Sequence, residues 1–202
     1  MGAAIERVVT SGVFSLDGED FDVDNNVWVV GNEHEVLVID AAHDAKPILK
    51  AIGGRDVLAI VLTHGHNDHI NAAGALRDAT HALIHLHTQD RMLWDVVYPE
   101  AEPDREISGG DTFTVAGTTL RVIATPGHSP GSVCLYAEDL ATVFTGDTLF
   151  QGGPGATGRS YSDHPTIVAS ITDMLLALPE ETVVKTGHGE DTTIGAESGN
   201  IS

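Results

Sequence analysis

The chain has one cysteine, three lysines and no apolar run near the roughly 18 residues needed to cross a bilayer. A lone Cys134 excludes an internal disulfide and a zinc cluster built from thiolates alone. It sits in the strand-like Ser132-Val133-Cys134-Leu135-Tyr136 and is expected to serve as a small buried hydrophobe. Aromatic residues are only 5% within a hydrophobic share of 42%, so the core must be mainly valine, isoleucine, leucine and alanine. Basic residues are scarce as well, 10 against 30 acidic, for a formal net charge of -20. A surface this negative repels phosphate backbones, which disfavours nucleic acid and anionic membranes as partners. The stretch from Met1 to Thr10 carries acidic Glu6 and lacks a signal-peptide apolar segment. A cytoplasmic protein acting on a small molecule is the expectation, with its oligomeric state open.

What the chain does have is glycine, 22 residues of it, and histidine, 11 residues. Its 202 residues suit one domain spanning 1–202 with a real core. Strand-like runs at 7–14, 26–30 and 35–40, with a turn signal at Gly31-Asn32, predict an antiparallel meander. A helix is expected from Asp44 to Ile52, stopped by Gly53-Gly54. The continuous apolar run Val57 to Leu62 reads as a strand buried on both faces. Helices are expected at 70–79, 91–97 and 167–178, the last closed by Pro179. Further strands are expected at 82–86, 112–115, 119–123, 132–136, 141–144 and 182–185. The fold class is therefore α/β: two mixed sheets packed face to face with helices outside, an αββα sandwich.

The densest feature is Thr63-His64-Gly65-His66-Asn67-Asp68-His69, which leaves a strand and enters a helix. Residues two apart in extended chain project to one side, so His64 and His66 can share a metal. Once the chain turns into a helix, Asp68 and His69 can address a second position. Imidazole and carboxylate suit zinc, iron or manganese. Three further segments place a polar residue at a strand end beside glycine: His128 in Pro126-Gly127-His128, Asp147 in Gly146-Asp147, and His188 in Gly187-His188-Gly189.

Together these segments resemble the metallo-β-lactamase superfamily, with its HxHxDH motif, later His, later Asp and final His. The resemblance runs from about Asp40 to His188. It implies that His64, His66 and His128 hold one metal, that Asp68, His69 and His188 hold the other, and that Asp147 bridges them. Asp40 matches a family aspartate that supports the site. A carboxylate at 147, where the commonest true metallo-β-lactamases have Cys or Ser, is similar to glyoxalase II-type hydroxyacylglutathione hydrolases, lactonases and persulfide dioxygenases. Gly158-Arg159-Ser160 resembles the Gly-Arg segment of that branch, which would put Arg159, and Tyr161 beside it, at the substrate mouth. Full-length glyoxalase II carries a C-terminal helical domain that grips glutathione, and only a short segment follows His188 here. A small or uncharged thiol carrier fits the acidic surface better.

The expected function is hydrolysis of a small thioester by hydroxide bridging two divalent ions, zinc first among them and iron or manganese compatible. Asp68 would orient that hydroxide or accept its proton while also ligating. The alternatives are a lactonase or other ester hydrolase, and a mononuclear-iron persulfide dioxygenase using His64, His128 and Asp147.

Overall fold

A computed structural model describes residues 2–201. Its strands are β1 (Ala4–Leu16), β2 (Glu19–Gly31), β3 (Glu35–Ile39), β4 (Asp56–Val61), β5 (Ile84–His87), β6 (Arg105–Ile107), β7 (Thr112–Val115), β8 (Thr118–Ala124), β9 (Val133–Ala137), β10 (Thr142–Gly146), β11 (Leu149–Phe150), β12 (Gly153–Pro154), β13 (Val183–Thr186) and β14 (Thr192–Thr193). Its helices are α1 (Ala45–Ile52), α2 (Asn67–Ile70), α3 (Ala73–Thr80), α4 (Arg91–Val97), α5 (His164–Ser170) and α6 (Ile194–Glu197).

Strand β9 explains the layering. All five of its residues are buried, and alternate side chains leave opposite faces of the sheet. Val133, Leu135 and Ala137 meet Trp28, Leu37, Ile39 and Val61 of the other sheet. Cys134 and Tyr136 meet Ile167, Ile171 and Leu175 of the helical layer behind them. The same logic splits β3, where Leu37 and Ile39 face the sheet–sheet interior while Val36 and Val38 pack with Ile48, Leu76 and Trp94 of α1, α3 and α4. The result is helix, sheet, sheet, helix. Cys134 is fully buried, as its strand position implies, and burial pushes its thiol up to about 11.

The first sheet runs in the order β1 to β6, and the second β14-β13-β10-β9-β8-β7. Strands β3 to β6 pair in parallel, as do β10 and β13, while the remaining pairs in both sheets are antiparallel. Both sheets are thus mixed. Strands β3, β4, β10 and β13 all end on one edge of the sandwich, and that edge carries the site.

The elements depart from the sequence expectations where no burial pattern marks them. Strand β2 begins at Glu19 rather than 26, because β1 pairs it residue for residue as far as Leu16 with Glu19 around the Asp17-Gly18 turn. Its first four residues are exposed, so they have no apolar alternation to read. Leu58 is 45% exposed, so β4 is buried only over its second half. The helix expected at 70–79 is two helices, α2 and α3, parted at Asn71 and Ala72. The one expected at 167–178 starts earlier, where Asp163 accepts from Thr166 N at 3.0 Å and Pro165 sits in the first turn. It loosens after Ser170 into a π-type turn over Ile171–Leu175. Gly53 does stop α1, at φ 64° with its N–H on Leu49 O.

Candidate metal centre

Backbone bonds cross between the sheets directly beneath the site. Val133 N donates to Thr63 O and Asn26 N to Gly187 O, both at 2.8 Å. His64, His66, Asp68 and His69 lie in the β4–α2 loop and the first turns of α2, all buried. His128 comes from the β8–β9 turn, Asp147 follows β10 and His188 follows β13. Each of His64, His66 and His128 offers a ligand atom within 4.8 Å of the other two, and so does each of Asp68, His69 and His188.

Asp147 touches both trios. Its Oδ1 lies 3.3 Å from His69 Nε2, and its Oδ2 lies 3.6 Å from His128 Nε2 and 3.3 Å from His188 Nε2. Asp68 Oδ2 lies 3.4 Å from His69 Nε2 and 3.3 Å from His188 Nε2.

The outward ring nitrogens fix the inward ones. His128 Nδ1 donates to Ala156 O at 2.9 Å, and His188 Nδ1 to Asp24 O at 2.8 Å; a carbonyl can only accept. His69 Nδ1 donates to Asp40 Oδ2 at 2.9 Å. Thr63 gives its hydroxyl proton to the same oxygen at 2.8 Å, which leaves a lone pair for His64 Nδ1 at 3.1 Å. In all four rings the Nδ1 proton is committed, and Nε2 is the nitrogen turned to the site. His66 Nδ1 faces His128 Nε2 at 3.0 Å.

Charges follow from this packing. Burial pushes His66 down to about 3 and His64 well below the usual imidazole range, helped by the neighbouring histidines. His188, against its own burial, is raised to about 10 by Asp147, which it faces, and by Asp68. His69 is likewise raised well above the imidazole range, its burial outweighed by Asp147 and Asp68. The carboxylates mirror them: burial would raise Asp68, but His69 and hydrogen bonds from His188 and Asn25 bring it down to about 2. Asp147, also opposed by burial, falls well below the carboxylate range beside His188 and His69.

Whether metal suits these residues can be judged from what they leave unpaired. Among the described residues seven buried side-chain polar atoms lack a hydrogen-bond partner, and four of them sit here: His64 Nε2, His66 Nε2, Asp68 Oδ1 and Asp147 Oδ1. Buried polar atoms are normally satisfied, so four orphans in one place mark a missing partner. Nitrogen and carboxylate donors at two adjoining positions fit two divalent ions.

Asp40 supports the site from below, at 1% exposure. Its carboxylate takes Thr63 N at 2.7 Å as well as the Thr63 hydroxyl and His69, and its backbone sits at φ 56°. A left-handed aspartate is strained by about 1–2 kcal/mol, and such strain gathers at functional sites. Arg159 lines a cleft with Phe14, Leu16, His66, His128 and Ser160. It pairs with Glu19 at 2.7 Å and lies 4.8 Å over the Phe21 ring. Tyr161, expected beside it, is 53% exposed at φ 70° and is not among the residues lining that cleft.

Asn25 was invisible to the sequence patterns. It is fully buried in β2 and donates to Asp68 Oδ2 at 2.9 Å, with His69 Nε2 at 3.2 Å and His43 Nε2 on its own oxygen at 2.7 Å. The available signal was the pair Asn25-Asn26, two amides in mid-strand where such residues are depleted.

A four-layer sandwich carrying such imidazole and carboxylate clusters at its strand ends defines a class, the metal-dependent hydrolases. The chain belongs to the metallo-beta-lactamase superfamily, whose family model matches residues 21–188. It is 33% identical over 186 residues to the probable metallo-hydrolase YqgX of Bacillus subtilis, covering 85% of this chain and 88% of that one. It is 31% identical over 188 residues to the hydroxyacylglutathione hydrolase GloC of Haemophilus influenzae, covering 85% and 87%. The crystal structure of BLEG-1, a B3 metallo-beta-lactamase, is similar with a TM-score of 0.80 and 34% identity, over 95% of this chain and 98% of that one. TTHA1623, solved in a di-iron-bound form, is similar with a TM-score of 0.76 and 33% identity, over 88% and 94%.

Proposed function

We propose that this chain hydrolyses small S-acyl thioesters at a two-metal site. His64, His66 and His128 would hold one ion, Asp68, His69 and His188 the other, and Asp147 both. The observation that carries the two-metal reading is Asp147, whose two oxygens face members of both trios. Bound there, divalent ions supply Lewis acidity that polarises a carbonyl and brings a water's pKa to about 7. Zinc, iron and manganese all suit the donors, and the di-iron form of TTHA1623 supports iron as much as zinc.

The chain's own groups do the rest. Asp68 is the catalytic carboxylate: Asn25 donates to its Oδ2, and with one oxygen turned to the ion the other would orient the attacking water and accept its proton. Phe14 and Leu16 wall the cleft and shed water from the acyl group. A thiolate, with a parent pKa of about 8.5, leaves without a dedicated acid, whereas a lactam nitrogen needs a proton. Among the described residues Arg159 is the one lysine or arginine lining the cleft, and its pairing with Glu19 leaves it less available to a lactam carboxylate. The likeness to GloC supports the thioester reading.

The likeness to BLEG-1 favours a second reading, β-lactam hydrolysis. One metal-replete preparation decides between them by kcat/KM on a small thioester, a penicillin and a lactone, with elemental analysis alongside. The thioester should be turned over much faster than the penicillin. Comparable or penicillin-favoured values would overturn the thioesterase reading. Failure on both with lactone turnover would replace it by a lactonase, and a single iron per chain by the dioxygenase.

A further inference from the structure

The β8–β9 turn and the β4–α2 loop come from different sheets, yet one side chain holds both. Asp90 ends a short 3-10 turn after β5 and is fully buried. Its Oδ2 accepts from Gly65 N at 2.7 Å and from Ser129 Oγ at 2.6 Å, and its Oδ1 accepts from Gly131 N at 2.6 Å. Gly65 stands between His64 and His66, and Ser129 and Gly131 follow His128. All three partners are donors, so the ionised carboxylate satisfies every one of them.

Both glycines are needed for the approach. A Cβ on Gly65 would lie 2.9 Å from the Asp90 carbonyl oxygen, and one on Gly131 would lie 2.8 Å from its carboxylate. The neighbouring Leu93 and Trp94 of α4 are buried, so Asp90 is anchored on an element that belongs to neither loop. The other trio has no bond to it: Asp68 and His69 ride on α2 and are tied to Asn25 and Asp40, and His188 is tied to Asp24.

We infer that Asp90 is a positioning residue that sets the metal affinity of the His64–His66–His128 position alone, by locking the two loops that supply it. This rests on the ligand assignment proposed above. Carboxylates that orient ligating groups are worth about 10–100-fold in metal affinity.

The test is zinc competition against a chromophoric chelator, which yields the two stepwise affinities of the full chain. His128→Ala and His69→Ala identify which affinity belongs to which position. Asp90→Asn keeps the shape but turns an –NH2 toward a donor, and should weaken the position lost in His128→Ala by about 10–100-fold. The position lost in His69→Ala should keep its wild-type affinity. Ser129→Ala removes one donor of three and should weaken the same position less, which decides the matter should Asp90→Asn fail to fold. Equal weakening of both positions, or of neither, would show a merely structural carboxylate and overturn the inference. If His128→Ala itself retains both zinc ions at wild-type affinity, the ligand assignment falls instead, and the inference with it.

Discussion

Among the site imidazoles two are held below and two above the usual range, and this governs how the metal-free protein answers to pH. Below about pH 6.5 an unfolded chain protonates His64, His66, His69 and His188 alike. The folded chain carries protons on His69 and His188 but keeps His66 neutral down to about 3, and burial holds His64 well below the usual imidazole range. The unfolded state then binds more protons, so stability falls as pH drops. The depressed Asp68 and Asp147 add to that acid loss at lower pH still. Above 6.5 the sign reverses. The fold retains protons that the unfolded chain has released, so stability falls as pH rises toward about 10, the value for His188. Denaturation midpoints of chelator-treated protein should peak near neutral pH, and metal loading should remove the alkaline decline by displacing the Nε2 protons. A metal-free midpoint still rising at pH 9 would contradict this. At the same scale, a Cβ on Gly187 would lie 2.2 Å from Asp147 Oδ1 and 2.7 Å from His69 Cε1. Gly187→Ala should therefore release metal from the protein without unfolding it, read as metal content beside a retained circular dichroism spectrum. Wild-type metal content in that variant would mean Asp147 is not held where both trios need it.

Among the elements, β10 does two jobs at once, since it fills the space between the sheets with Phe144 and delivers Asp147 at its end. Phe144 is fully buried, packed 6.0 Å from the Trp28 ring and among residues of both sheets. Phe144→Ala should destabilise the protein by about 3–5 kcal/mol, measured by denaturant unfolding. A cost near 1 kcal/mol would show a core that collapses around the gap. How much of an element the sequence reveals depends on what holds it. Central strands such as β9 and β10 are fixed by burial and were readable as apolar runs. The early half of β2 is fixed by its ladder to β1 alone, and β6, β11, β12 and β14 are two or three residues long. None of these writes a periodic pattern. The site divides along the same line. Its ligands cluster in local motifs beside glycine, whereas Asn25 and Asp90 act across 43 and 41 residues, on Asp68 and Gly131; the mid-strand pair Asn25-Asn26 is the one local hint of the first, and none marks the second.

For the whole molecule, the formal charge of -20 and the site are linked. Asp68 is a buried negative charge and Asp147 a largely buried one, both balanced in the fold by raised histidines, so bound cations would take over a task that protons otherwise perform. No helix among the described residues is long and apolar enough to cross a membrane. The long β1–β2 hairpin reaches past its sheet to meet the loop after β12. Ser160 N donates to Asp17 Oδ2 at 3.0 Å, and Glu19 pairs with Arg159 across the same seam. Neither side of that seam supplies a ligand to the proposed metals. The proposed substrate wall and the residues proposed to ligate the ions are thus written in separate stretches of chain. Mutation can rewrite the hairpin tip and the 158–162 loop together while the ions stay in place, and a new substrate preference then requires no new chemistry.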